Sequence, residues 1–182
     1  MTRPTERGAT IWLTGLPSAG KSTVANALAE RLRAEGHRVE ILDGDVVRTN
    51  LSAGLGFSRE DRDIQVRRVG FVAELLARNG VKVLAALVSP YAATRDEVRK
   101  AHEAAGTAYL EIHVATPLDV CADRDVKGWY AKQRSGEMTG LTGVDDPYEA
   151  PTAAEVTLPT HEQSLDESVA AVLTALAARG FA

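Results

Sequence analysis

The chain has 182 residues, enough for one domain with a substantial core, and 45% of them are hydrophobic and 25% charged. Its 25 acidic residues outnumber its 21 basic ones, for a net charge of −4, which argues against a nucleic-acid partner. A lone cysteine, Cys121, excludes an internal disulfide, no apolar run could span a bilayer, and residues 1–8 lack the apolar centre of a secretory signal; a soluble cytoplasmic protein without a membrane partner is expected.

Residues 9–14, ATIWLT, are short and apolar and end at Gly15, which predicts a buried strand. Alanines and leucines at helical spacing over 21–35, stopped by Gly36, predict a helix. Residues 39–42 read as a second strand ending at Asp43. A long helix is expected over 59–79, opened by Ser58 with Asp61 three residues on and closed at Asn79-Gly80. Residues 81–88 are nearly all apolar and read as a third strand running into Ser89-Pro90. A helix over 94–105 stops at Gly106, and 109–114 form a fourth strand. Residues 117–125 read as a helix with Pro117 in its first turn. Residues 126–159, rich in Gly, Pro, Asp and Lys, read as loops, with a short fifth strand near 156–158. A final helix is expected over 164–178.

Strands that are unbroken apolar runs and alternate with helices predict an α/β three-layer sandwich around a mostly parallel five-stranded sheet. One domain over 1–182 is expected, with residues 126–150 as a lid segment. In such sheets ligands sit at the carboxyl ends of the strands. That points to Gly15 onward, Asp43-Gly44-Asp45, Ser89-Pro90-Tyr91 and Thr116.

Gly15-Leu16-Pro17-Ser18-Ala19-Gly20-Lys21-Ser22 matches G-x-x-x-x-G-K-[ST], with a strand before it and a helix after it. Backbone N–H groups of such a P-loop cradle phosphates, and the helix N-terminus adds its positive end. Lys21 is then the group for the β- and γ-phosphates of ATP, and the Ser22 hydroxyl is a ligand for Mg²⁺. The third strand ends in Ser89 and offers no acidic residue there, so that work falls to Asp43 and Asp45. Two carboxylates around a glycine can hold the metal's water shell and orient or deprotonate an acceptor hydroxyl.

Arg48, Arg59, Arg62, Arg67 and Arg68 fall within 21 residues, with Phe57 among them. Guanidinium groups pair well with phosphate or sulfate, but Arg62 and Arg67 are not at 3–4 spacing, so not all can line one pocket. Phe57 could stack on a base or pack in the core. Glycines around the basic, aromatic stretch 125–134 suit a lid that excludes water. The four histidines, His37, His102, His113 and His161, show no metal-ligand spacing.

Together these residues resemble the adenylylsulfate kinase (APS kinase) family over roughly residues 10–158. The shared motifs are GLPSAGKS, LDGDVVR, LGFSREDR, VRR, SPY, TPLDVC, RDVKGWY and TGVDDPYEAP, in this order. The resemblance implies a P-loop NTPase fold and phosphorylation of the 3′-hydroxyl of adenosine 5′-phosphosulfate (APS) by Mg·ATP, giving PAPS. It implies that ATP is held by the eight P-loop residues with Thr23 and Arg124, and Mg²⁺ by Ser22 and Asp43. Lys21, Asp43, Asp45 and Ser89 would be catalytic. APS would meet Asp45, Arg48, Phe57, Arg62, Gln65, Val88, Ser89, Lys127, Gly140 and Leu141, with Phe57 and Leu141 as the walls of an adenine slot. Ser89 matches a serine at which the family records phosphorylation; direct in-line transfer is expected all the same. A homodimer is expected from the family alone.

Four positions depart from the family's usual residues, all on the acceptor side: Val46 for Asn, Gln65 for Asn, Ala92 for Arg and Leu141 for Phe. They keep open an alternative, a kinase of the same fold acting on a different small hydroxyl metabolite.

Overall fold

A computed structural model describes residues 7–181, so residues 1–6 of the polar N-terminus lie outside the described residues. Strand β1, Ala9–Thr14, is buried along its whole length. It pairs in parallel with β3, Lys82–Ala86, on one side and with β4, Ala108–Val114, on the other. Strand β2, Val39–Asp43, adds to β3, and β5, Val156–Leu158, adds to β4, giving the order β2-β3-β1-β4-β5. All four pairings are parallel. That is the arrangement continuous apolar strands require, since both of their faces must be covered.

The period-two alternation of β1 divides the core. Ile11 and Leu13 face α1, Lys21–Ala34, and α7, Leu165–Ala177, which contribute Val24, Leu28, Leu32, Val169, Val172 and Leu176. Trp12 faces the opposite layer, where α3, Arg59–Arg78, contributes Val66 and Val69 and α4, Ala92–Ala104, contributes Val98. The result is a three-layer α/β sandwich. The expected helix boundaries hold to within a residue or two, and the caps explain them. Ser58 Oγ accepts the Asp61 N–H at the start of α3, and Ser164 with Glu167 forms a full capping box on α7.

Two helices were not expected. Residues 44–50, to which no element was assigned, form α2, Gly44–Asn50. Seven residues show too little periodicity to read, but Asp43 caps the segment by accepting the Asp45 N–H at 3.0 Å. The reading of 126–159 as loops is corrected by α6, Trp129–Arg134, which follows α5, Leu118–Arg124. Asp125 starts α6, its carboxylate accepting the N–H groups of Tyr130 at 3.0 Å and Ala131 at 2.9 Å. Pro117 stands at the N-cap of α5, just before the first turn in which it was expected.

Candidate active site

A cavity of about 450 Å³ lies along the carboxyl ends of β1, β2 and β3. One end is the P-loop. There the backbone turns so tightly that a Cβ on Gly15 would stand 2.6 Å from the Val114 carbonyl oxygen, and Gly20 takes φ 104°. Only glycine meets both demands. Lys21 opens α1 and folds back, donating to the carbonyls of Gly15 at 3.0 Å and Leu16 at 2.8 Å. Burial, helped by the nearby Lys127 ammonium, pushes its pKa down to about 8.

Beside it, the Ser22 hydroxyl donates to Asp43 Oδ2 at 2.6 Å. The neighbouring carboxylate, Asp45, forms an ion pair with Lys127. That pair crosses the cavity from the start of α2 to the segment before α6. The segment is also pinned to the P-loop: Val126 N–H donates to Ser18 Oγ at 3.2 Å and the Tyr130 hydroxyl to the Pro17 carbonyl at 2.9 Å.

The far end carries the basic wall. Arg48, whose pKa burial lowers before the neighbouring Arg62 does, donates to Gly56 O at 2.8 Å. Its guanidinium lies 4.3 Å from the centroid of Phe57. Arg62 spreads its N–H groups over the Phe57 carbonyl at 2.8 Å, the Gly140 carbonyl at 2.5 Å and the Thr142 hydroxyl, and meets Asp146 at 3.4 Å. It therefore ties the Phe57 wall to the Leu141 wall as well as lining the cavity. Leu141 is almost fully buried, whereas Phe57 is half exposed and meets Trp129 edge-on at 6.4 Å. Gln65 donates to the Gly44 carbonyl at 3.2 Å, under the Asp43-Gly44-Asp45 turn.

β3 stops at Ala86, two residues short of the expected strand, and Ser89 lies three residues past its end with φ 39°, 3% exposed, its hydroxyl accepting the Trp12 indole N–H at 3.0 Å. Next to it the Val88 carbonyl accepts from Thr14 Oγ1 at 2.7 Å.

Pro17, Ser18, Gly20, Lys21, Ser22, Thr23, Asp43, Asp45, Arg48, Phe57, Arg62, Gln65, Val88, Ser89, Arg124, Lys127, Gly140 and Leu141 thus share one cavity. Gly15, Leu16 and Ala19 stand behind its lining, and the buried Ala19 offers its carbonyl to Thr116 at 2.8 Å and Thr160 at 2.9 Å. Of the arginine cluster, only Arg48 and Arg62 line the cavity. Arg67 pairs with Glu97 on the surface, Arg68 donates to Leu51 O, and Arg59 lies over the Tyr91 ring.

Thr160, Gln163, Trp129 and Met138 line the cavity without having been singled out. Thr160 follows β5, so the carboxyl-end rule applied to that strand would have found it. It accepts from Arg124 NH1 at 3.4 Å, which brings the β5–α7 connection over the P-loop. Trp129 carries no local signal that separates it from a packing residue.

Residues 7–159 match the family described as Adenylylsulphate kinase. A Synechocystis protein named probable adenylyl-sulfate kinase is 59% identical over 164 residues, 90% of either chain. The adenylyl-sulfate kinase of a Picosynechococcus strain is 54% identical over 175 residues, 96% of this chain and 97% of the relative. Among solved structures, the Mycobacterium tuberculosis APS kinase in complex with AMPPNP and APS superposes with a TM-score of 0.91 at 43% identity, covering 94% of this chain and 99% of that one. A Sinorhizobium meliloti gluconokinase, 21% identical with a TM-score of 0.61, shares the fold alone.

Proposed function

The chain belongs to the adenylylsulphate kinase family, and on that premise we propose that it transfers the γ-phosphoryl group of ATP to the 3′-hydroxyl of APS, giving PAPS and ADP. The observation that carries this reading is the single cavity that joins the P-loop to the wall of Arg48, Phe57, Arg62 and Leu141. Its two ends suit two nucleotides: a polyphosphate at Lys21, and a nucleotide with an anionic tail at the arginine wall.

Phosphoryl transfer of this kind relies on positioning and charge neutralisation. Lys21 lies where the ammonium can leave the Gly15 and Leu16 carbonyls for phosphate oxygens. Asp45 is the acceptor-side carboxylate, able to take a hydrogen bond from the 3′-hydroxyl and then its proton. Asp43 and Ser22 present two oxygen donors side by side, a donor set that fits Mg²⁺. That ion, when bound, neutralises charge on the phosphates.

Residues 126–150 act as the lid in this reading, supported by the contacts of Val126, Lys127 and Tyr130 across the cavity. Water exclusion there limits hydrolysis of ATP. Ser89, inside the cavity with its hydroxyl on Trp12, has a positional role, and transfer is direct.

Among the described residues, no helix is long and apolar enough to cross a membrane. A cytoplasmic setting belongs to the proposal and is supported by the free, buried thiol of Cys121. So does a homodimer, supported by the exposed pair Phe71 and Leu75 one turn apart on α3. Sedimentation showing only monomer would remove the dimer.

The test of the reaction is coupled ADP release with ATP, Mg²⁺ and APS. Turnover should depend on APS and yield PAPS; ADP release that APS does not stimulate would sink the proposal.

A further inference from the structure

Arg95 stands in the first turn of α4, is 3% exposed, and does not line the cavity. A cation in a first helical turn opposes the helix dipole, and burying it adds a desolvation penalty. An apolar residue would fill this position at less expense if packing were all that mattered.

What the guanidinium supplies is three directions of donation. Nε donates to Glu111 Oε1 on β4 at 2.8 Å, NH1 to the Ser89 carbonyl at 2.8 Å, and NH2 to the Glu149 carbonyl at 2.7 Å. Glu111 is held in turn: its second oxygen lies 3.8 Å from Arg99, which forms a fork with Glu155 at 2.7 and 2.9 Å. The charged ladder thus runs from the residue before β5 to the carbonyl of a cavity residue.

The two carbonyls are the informative part. Ser89 holds φ 39°, a left-handed conformation unfavourable for a serine, and such a residue persists only where its surroundings over-determine it. Glu149 closes the segment that begins with the cavity wall at Gly140 and Leu141. The same segment end is fastened by the Tyr148 hydroxyl to Thr14 Oγ1 at 3.0 Å, by Glu149 N–H to Pro90 O at 2.8 Å, and by the Glu149 carboxylate to Ala92 N–H at 2.7 Å.

We propose that Arg95 is a positioning residue for the acceptor half of the site, clamping the Ser89 peptide to the 140–149 segment and thereby fixing the Leu141 wall opposite Phe57. The inference rests on the acceptor reading given above. It separates the two halves of the cavity, because the partners of the Arg95 guanidinium are Glu111, the Ser89 carbonyl and the Glu149 carbonyl, and none of them belongs to the P-loop.

The experiment uses the full chain and Arg95→Lys, which keeps the charge and loses the fork. Wild-type turnover with APS is measured first, and its absence would count against the acceptor reading and not against the clamp. In the variant, KM for APS should rise at least about tenfold, with kcat within about threefold and AMPPNP affinity within about twofold of wild type. An APS KM within about twofold of wild type, or equal losses of APS and AMPPNP affinity, overturns the clamp. If Arg95→Lys does not fold, Arg95→Gln, which keeps an amide donor and loses the three-way fork, takes its place. Its APS KM should rise at least about threefold with AMPPNP affinity unchanged, and an unchanged APS KM overturns the proposal.

Discussion

The Ser22 hydroxyl donates to Asp43 Oδ2 at 2.6 Å, so the first turn of α1 and the carboxyl end of β2 meet at one pair of oxygens. The two residues are 21 positions apart and join only because β2 and α1 flank the same end of the sheet. Asp43→Asn removes the charge and keeps the shape. Its Mg²⁺-dependent kcat should fall by at least about 100-fold, equivalent to about 2.7 kcal/mol of transition-state stabilisation. Steady-state kinetics across a Mg²⁺ titration checks this, and unchanged Mg²⁺ dependence would dissociate Asp43 from the metal.

Lys21 sets a pH dependence. Its pKa is depressed from 10.5 to about 8 by burial, so the folded state disfavours its charged form. That unfavourable contribution to stability is fully present below pH 8 and is relieved as pH rises toward 10.5. Polyphosphate binding demands the charged form. At pH 9 wild-type protein should therefore take up roughly one proton per AMPPNP bound, and Lys21→Met should lose that uptake. Calorimetry in two buffers of different ionisation enthalpy reads the difference.

The Asp45–Lys127 ion pair joins the start of α2 to the segment before α6, the acceptor carboxylate and the lid of the proposed reading. Asp45→Asn should lower kcat by about 10²–10⁴-fold, the usual range for a lost general base, while AMPPNP affinity stays near wild type. Limited proteolysis of the unliganded variant should cut faster within residues 126–138, since one lid contact is gone. Retained kcat would remove Asp45 from proton transfer.

Leu141 and Phe57 line the same cavity, and in the proposed reading Leu141 is the second wall of the APS base slot, with no ring to stack there. Leu141→Phe should tighten APS by about 0.5–1.5 kcal/mol, roughly 2- to 10-fold in affinity. Equilibrium binding of APS to the ADP-bound enzyme is the measurement. A weaker affinity would show that the space facing Leu141 is too narrow for a second ring.

Ser164 caps α7, where its hydroxyl accepts the Glu167 N–H at 3.2 Å. Ser164→Ala should reduce stability by about 1 kcal/mol. For a domain of this size that corresponds to a fall of about 2–4 °C in Tm by calorimetry. No change would mean the Glu167 carboxylate holds the helix end alone.

Local signals were legible wherever a single stretch of chain contained the whole cause. The P-loop declares itself because eight consecutive residues form the cradle and both flanking elements are strongly patterned. The capping residue Ser58 was readable for the same reason. Helix α2 was not, although its Asp43 cap is just as local, because seven residues carry too little apolar periodicity to be read. Helix α6 was hidden likewise in a glycine-rich stretch that Asp125 caps.

By itself the sequence determined the alternation of strand and helix, the parallel sheet that apolar strands demand, and the phosphate cradle with its lysine. Its motif order also pointed to the family. The tertiary structure alone decided which arginines serve the cavity. Arg48 and Arg62 turn inward, while Arg67 pairs with Glu97 on the surface. It also decided that Arg62 joins two walls, that Thr160 closes over the P-loop, and that Arg95 reaches Ser89 and Glu149 at once. The physical reason is range. Periodicity and capping act over a few residues, whereas a buried guanidinium finds its partners among carbonyls brought together only when the sheet and its connections pack.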